Sequence, residues 1–164
     1  MARVVGALSV TFLFLSASVA LASENPLLGT WKLKSFVREV AATGERYNER
    51  GEHPNGYLSY SADGRMYAII TWENRAAQHD VVPTDAERIK LFSTMISYAG
   101  TYTFDAAKVI HHVDISWNQN WTGTDQIRFY KLEGDTLTIT SAPAKNFTDG
   151  REGRSILVWQ KLAR

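Results

Sequence analysis

The sequence contains no cysteine. That absence excludes thiol nucleophiles, cysteine-ligated zinc, iron–sulfur clusters and any disulfide, so the core alone must hold the fold. Net charge is missing as well: 18 Lys and Arg stand against 17 Asp and Glu. A chain with no basic field is not built for nucleic acid or for an anionic membrane surface, and neither partner is expected. No G-x-G-x-x-G follows a strand-like run, so no phosphate cradle is expected. G-x-S-x-G, H-E-x-x-H and a paired-carboxylate glycosidase pattern are absent too, as are internal repeats and low-complexity segments. No cofactor is expected.

What is present begins with an apolar run, Val4 to Leu15, behind the short positive segment Met1-Ala2-Arg3. Ala20-Leu21-Ala22 has the A-x-A form of a signal-peptidase site. The expectation is a signal peptide over residues 1–22 and one domain over 23–164, exported to the periplasm or secreted. The run is short for a membrane span, so no stable membrane insertion is expected after cleavage. A single domain of this length buries about two-thirds of its unfolded surface. Oligomeric state stays open.

The mature region reads as strands. Leu28–Val40 alternates, with Trp31, Leu33, Ser35 and Val37 on one side and Lys32, Lys34, Phe36 and Arg38 on the other. A short strand is expected within Glu45–Asn48. Gly56–Ser61 and Arg65–Trp72 flank Asp63-Gly64, a strong hairpin signal; the second arm is apolar at nearly every position, so cover on both faces is expected. One helix is expected after Pro83, with Thr84 and Glu87 as a capping box and an apolar stripe of Ile89, Phe92, Ile96 and Ala99. The stripe suggests a helix that covers a barrel mouth or packs on a sheet face, or else a mobile lid. A meander follows: Tyr98–Phe104, Val109–Trp117, Gln126–Leu132, Leu137–Thr140 and Ser155–Leu162. Eight to nine strands with turns every 8–12 residues make an all-β fold, and sequential hairpins favour an up-and-down antiparallel barrel with one helix on it.

Several stretches carry a resemblance. LLGTWKL near the mature start contains Gly29-Thr30-Trp31, a G-x-W. GYLSYSADGRM, HHVDISWNQNWTGTDQIRF and LEGDTLTIT follow. Together these resemble the bacterial and fungal lipocalin-like domain family over about Leu27–Leu162. The resemblance implies a small barrel around a central cavity, not one particular activity. The usual lipocalin disulfide and T-D-Y signature are missing, and the helix falls mid-chain.

Such a barrel has room for side chains or one small ligand. The candidate ligand-binding residues are Trp31, Tyr102, His111, Val113, Trp117, Arg128 and Tyr130. Regular alternation places Val109, His111, Val113, Ile115 and Trp117 on one face. Arg128, if buried, needs an internal carboxylate or an anionic ligand. His111 and His112 point to opposite faces and cannot share a metal, while His112 and Asp114 share a face; no metal site is expected. The leading expectation is an exported protein that binds a small apolar or amphipathic molecule. An isomerase or cyclase acting on a hydrophobic substrate, with His111, Asp114 or Tyr102 moving the proton, is the second. A structural or interaction domain with a filled barrel is the third.

Overall fold

A computed structural model describes residues 25–163; the expected signal peptide lies outside the described residues. The chain forms strands β1 (Gly29–Val40), β2 (Arg46–Tyr47), β3 (Asn55–Tyr60) and β4 (Arg65–Thr71), then helix α1 (Asp85–Ser93). Strands β5 (Met95–Phe104), β6 (Lys108–Ser116), β7 (Asp125–Glu133), β8 (Thr136–Ser141), β9 (Ala144–Lys145) and β10 (Glu152–Lys161) follow. Neighbouring strands pair antiparallel, in the order β1-β3-β4-β5-β6-β7-β8-β10, and β1 pairs back onto β10. The result is a closed eight-stranded barrel, with β2 and β9 added beside β1 and β10 at one end. Closure leaves the barrel strands without a free edge, which also removes the route to edge-to-edge aggregation. No helix among the described residues is long and apolar enough to cross a membrane.

Local chemistry explains the turns. Gly64 sits at φ +80°, where an L side chain is strained, and lets Ser61 and Arg65 close the β3–β4 hairpin. The capping box forms: Glu87 N donates to Thr84 Oγ1 at 3.3 Å and Thr84 N donates to Glu87 Oε2 at 2.7 Å.

Two expectations fail around these elements. The helix stops at Ser93, so Ile96 and Ala99 belong to β5 and not to its stripe. Sheet pairing claims them: Ile96 lies opposite Ile70, and Ala99 opposite Tyr67. No residue of α1 is buried, and Ile89 and Phe92 are 70% and 57% exposed. The helix therefore lies on the barrel without burying its apolar side, and its Phe92 ring is 6.4 Å from that of Trp117. In β4 only Met66, Ala68 and Ile70 are buried, while Tyr67 and Ile69 face outward and are exposed, so cover on both faces is not found.

Two bulges shift which side chains point inward. In β1 the register against β10 slips between Leu33 and Ser35. Trp31 and Leu33 are buried before it, Phe36, Arg38 and Val40 after it. Ser35 and Val37 lose the inward place that regular alternation assigned them, because one extra residue inverts the face of all that follow. In β5 and β6 the register slips where Ala99 and Gly100 meet Ile115 and Val113. His111 and Val113 point in, but Ile115 is 65% exposed. Gly100 serves this close approach, since a Cβ there would sit 1.9 Å from the His112 carbonyl oxygen.

The interior divides along the barrel axis. At one end Leu27, Trp31, Leu33, Leu58, Tyr60, Val109, Leu137 and Trp159 are buried in contact with one another. Trp31 Nε1 donates to Leu27 O at 2.8 Å, so the chain just before β1 helps close this end. The other end, where β2 and β9 lie, is not filled.

Candidate ligand cavity

A cavity of about 240 Å³ occupies that second end. Its apolar walls are Phe36 from β1, Ile70 from β4, Ile96 and Tyr98 from β5 and Leu157 from β10. Trp121, on a short 3₁₀ turn at Gln119–Trp121, and Phe147, in the loop before β10, complete them. Trp121 meets Tyr98 edge-on at 5.4 Å, and Trp117 links Trp121 to Phe147 at ring separations of 5.1 and 5.7 Å. Trp117 thus braces the aromatic rim without lining the cavity. A broader groove of about 530 Å³ at the β1–β2 turn lies among Val40–Thr43, Glu45, Arg151 and Glu152, outside the barrel, and no buried cation faces it.

Three guanidinium groups also border the cavity. Arg38 is 4% exposed, placed inward by the β1 bulge. Its Nη2 donates to Ala144 O at 2.6 Å and to Arg151 O at 3.1 Å, which ties down the loop before β10. Arg50, from the loop after β2, is 2% exposed and lies over the Trp72 ring at 3.7 Å. Its Nη1 is 2.7 Å from Glu49 Oε1, and Glu49 in turn accepts from Asn146 Nδ2 at 2.7 Å. Burial pulls the Arg50 pKa down to about 10, so it keeps its charge at neutral pH. Arg128, on β7, is half-buried and donates to Ile127 O at 3.0 Å and Gln126 Oε1 at 3.2 Å. It has no carboxylate partner among the described residues, so the internal ion pair considered for it is not formed.

Behind the cavity wall lies a buried polar cluster. His111 is 1% exposed, with Nδ1 2.9 Å from the Tyr98 hydroxyl and Nε2 2.7 Å from the Tyr60 hydroxyl. Burial pushes its pKa well below the ordinary histidine value, and the charge of Arg128 adds to the shift. Burial pushes both tyrosines up. At neutral pH the cluster is therefore uncharged, and the single ring N–H of His111 donates to one tyrosine while the other tyrosine donates to the bare nitrogen.

Of the seven residues singled out from the sequence, Arg128 alone borders the cavity. Trp31 and Val113 are packed in the core. Tyr102 accepts from Asn25 Nδ2 at 2.7 Å and donates to Ser61 O at 3.0 Å, and Tyr130 donates to Asp105 O at 2.8 Å. His111 stands one layer behind Tyr98, and Trp117 behind Trp121 and Phe147. The three proton-transfer candidates are dispersed. Asp114 is at the surface in an ion pair with Arg65 at 2.6 Å, and His112 pairs with Asp125 at 2.7 Å rather than with Asp114. The residues that sequence reasoning missed are Arg38, Arg50, Tyr98 and Trp121. Arg38 carried no signal, because its inward turn depends on the register slip between β1 and β10. Arg50 carried none, because its burial depends on how a polar loop folds over Trp72.

Comparison with known proteins agrees with this architecture. Residues 28–162 match the lipocalin-like domain family. The 4'-hydroxy-3'-methoxypropiophenone carrier protein of Aspergillus oryzae is 33% identical over 89 residues, covering 49% of this chain and 79% of that protein. The crystal structure of a mutant of the fluorescent protein UnaG overlays with a TM-score of 0.35 at 11% identity, covering 84% of this chain and 96% of that one, too loosely to bear on function. With a match that spans every strand of the barrel, the chain belongs to the lipocalin-like domain family.

Proposed function

We propose that this protein is an exported carrier that holds one small amphipathic molecule in the barrel cavity. The observation that carries the reading is a cavity of about 240 Å³ with aromatic and aliphatic walls on which Arg38, Arg50, Arg128 and Tyr98 converge. An apolar recess with a few convergent polar groups is the usual make-up of a small-molecule site. The volume lies below the roughly 300–1,000 Å³ of drug-sized pockets, so the ligand is a small one, of the order of a single substituted ring. The similarity to a carrier of a phenolic ketone points the same way. The filled-barrel alternative accounts for only one end of the interior. Native mass spectrometry of protein taken gently from its own host compartment tests the proposal. The expected result is an adduct of low mass that is lost on denaturation, on a chain that starts at Ser23. A bare chain that also fails to respond to aromatic probes by tryptophan fluorescence would overturn the carrier reading, and an intact N-terminus would overturn the export.

A further inference from the structure

The cavity wall carries more positive charge than the protein itself neutralises. Arg38 and Arg50 are almost fully buried, and Arg128 is half-buried beside them. Glu49 is the one buried carboxylate that borders the same cavity among the described residues, and it lies on Arg50. Asp125, at the rim, is engaged by His112. Nor are the guanidinium N–H groups all used. The Nε atoms of Arg38 and Arg50 are buried with no hydrogen-bond partner among the described residues. Arg50 Nη1, close as it is to Glu49, lacks the direction of a hydrogen bond. Arg38 also opposes the charge on Arg50, so the two cations lie near enough to repel.

Water could satisfy the idle N–H groups but would leave the like charges uncompensated. An anion does both, and a planar carboxylate matches the forked donors of guanidinium. Resting on the carrier reading, we infer that the ligand is an aromatic or short aliphatic acid whose carboxylate sits among Arg38, Arg50 and Arg128 while its apolar body lies against Phe36, Tyr98 and Trp121. The neutral alternative, a ketone or amide of the same shape, would use some of the same donors but leave the charge in place.

The test compares acids with their uncharged isosteres. Cinnamate and 2-naphthoate would be titrated into the full protein near pH 7 beside cinnamamide and 2-naphthamide, by calorimetry or tryptophan fluorescence. The expected result is that at least one acid binds roughly 10–100-fold more tightly than its amide, the scale of charge-assisted hydrogen bonds. Arg128→Gln and Arg50→Met should bring the acid-to-amide ratio toward one, because the acid loses a charge-assisted contact and the amide only a neutral one. Glu49→Gln, which keeps an acceptor for Asn146 but removes the buried carboxylate beside Arg50, should raise the ratio. Arg50→Met is the variant at risk of misfolding; Arg128→Gln is less so, since Arg128 is half-buried and donates its hydrogen bonds to Gln126 and Ile127 of its own strand, with the Trp121 ring 6.0 Å away, and melting curves of each variant check this. Equal binding of acid and amide overturns the anion inference and leaves the carrier reading intact. A preference that survives all three substitutions overturns its assignment to these side chains. No binding by any of the four compounds overturns both.

Discussion

The two ends of this barrel are built from the same strands and behave as opposites. At the packed end, large side chains are buried in one cluster; the indole of Trp31 donates to a carbonyl, and that of Trp159 has no partner among the described residues. At the cavity end, the strands enclose space and the buried guanidiniums of Arg38 and Arg50 retain idle N–H groups. Between them the neutral Tyr98–His111–Tyr60 cluster forms a satisfied partition. Stability in such a molecule is concentrated where packing is complete, and binding capacity is concentrated where it is withheld.

Substitutions at the two ends should separate these roles. The largest effect belongs to the packed end: Trp159→Ala, at a residue 2% exposed, should cost about 3–5 kcal/mol in denaturant unfolding. The partition comes next. The folded His111 pKa is depressed, so the folded protein holds this imidazole neutral while the unfolded chain takes up a proton below about pH 6.5. Stability contributed by the neutral form is full above that value and falls as pH drops, by up to about 1.4 kcal/mol per pH unit. His111→Gln, which titrates nowhere in this range, should flatten that part of the stability–pH curve; an unchanged slope would mean that other groups produce it.

At the cavity end the order of effects reverses. Leu157→Phe adds volume beside the space, so unfolding free energy should change by less than about 1.5 kcal/mol while probe binding is lost. A variant that lost stability and binding together would show that the space is not available to a side chain. The smallest effect is expected outside the barrel. Ile89→Ser on α1 should shift stability by no more than about 0.5 kcal/mol, because that side chain is 70% exposed; a larger loss would show that the helix packs in solution after all.

Several features were legible from local chemistry alone. The Asp63-Gly64 hairpin and the Thr84–Glu87 capping box depend on neighbours within a few residues. Those interactions form whatever the rest of the chain does, so the residue pattern reports them faithfully. The antiparallel barrel followed from their repetition.

Other features depend on partners far away in the sequence. The bulge that turns Arg38 inward is a mismatch between β1 and β10, and the one that turns Ile115 outward is a mismatch between β5 and β6. A strand read by itself carries no record of a residue left over against its neighbour, so its faces are assigned wrongly beyond that point. The end of α1 was decided in the same way, by pairing of Met95 and Ile96 with β4 over continuation of an apolar stripe. The sequence by itself therefore determined that this chain forms a closed antiparallel barrel. Only the tertiary structure decided which end is full and which is hollow, and that Arg38 and Arg50 stand in the hollow one, because register and loop placement arise between strands and not within them.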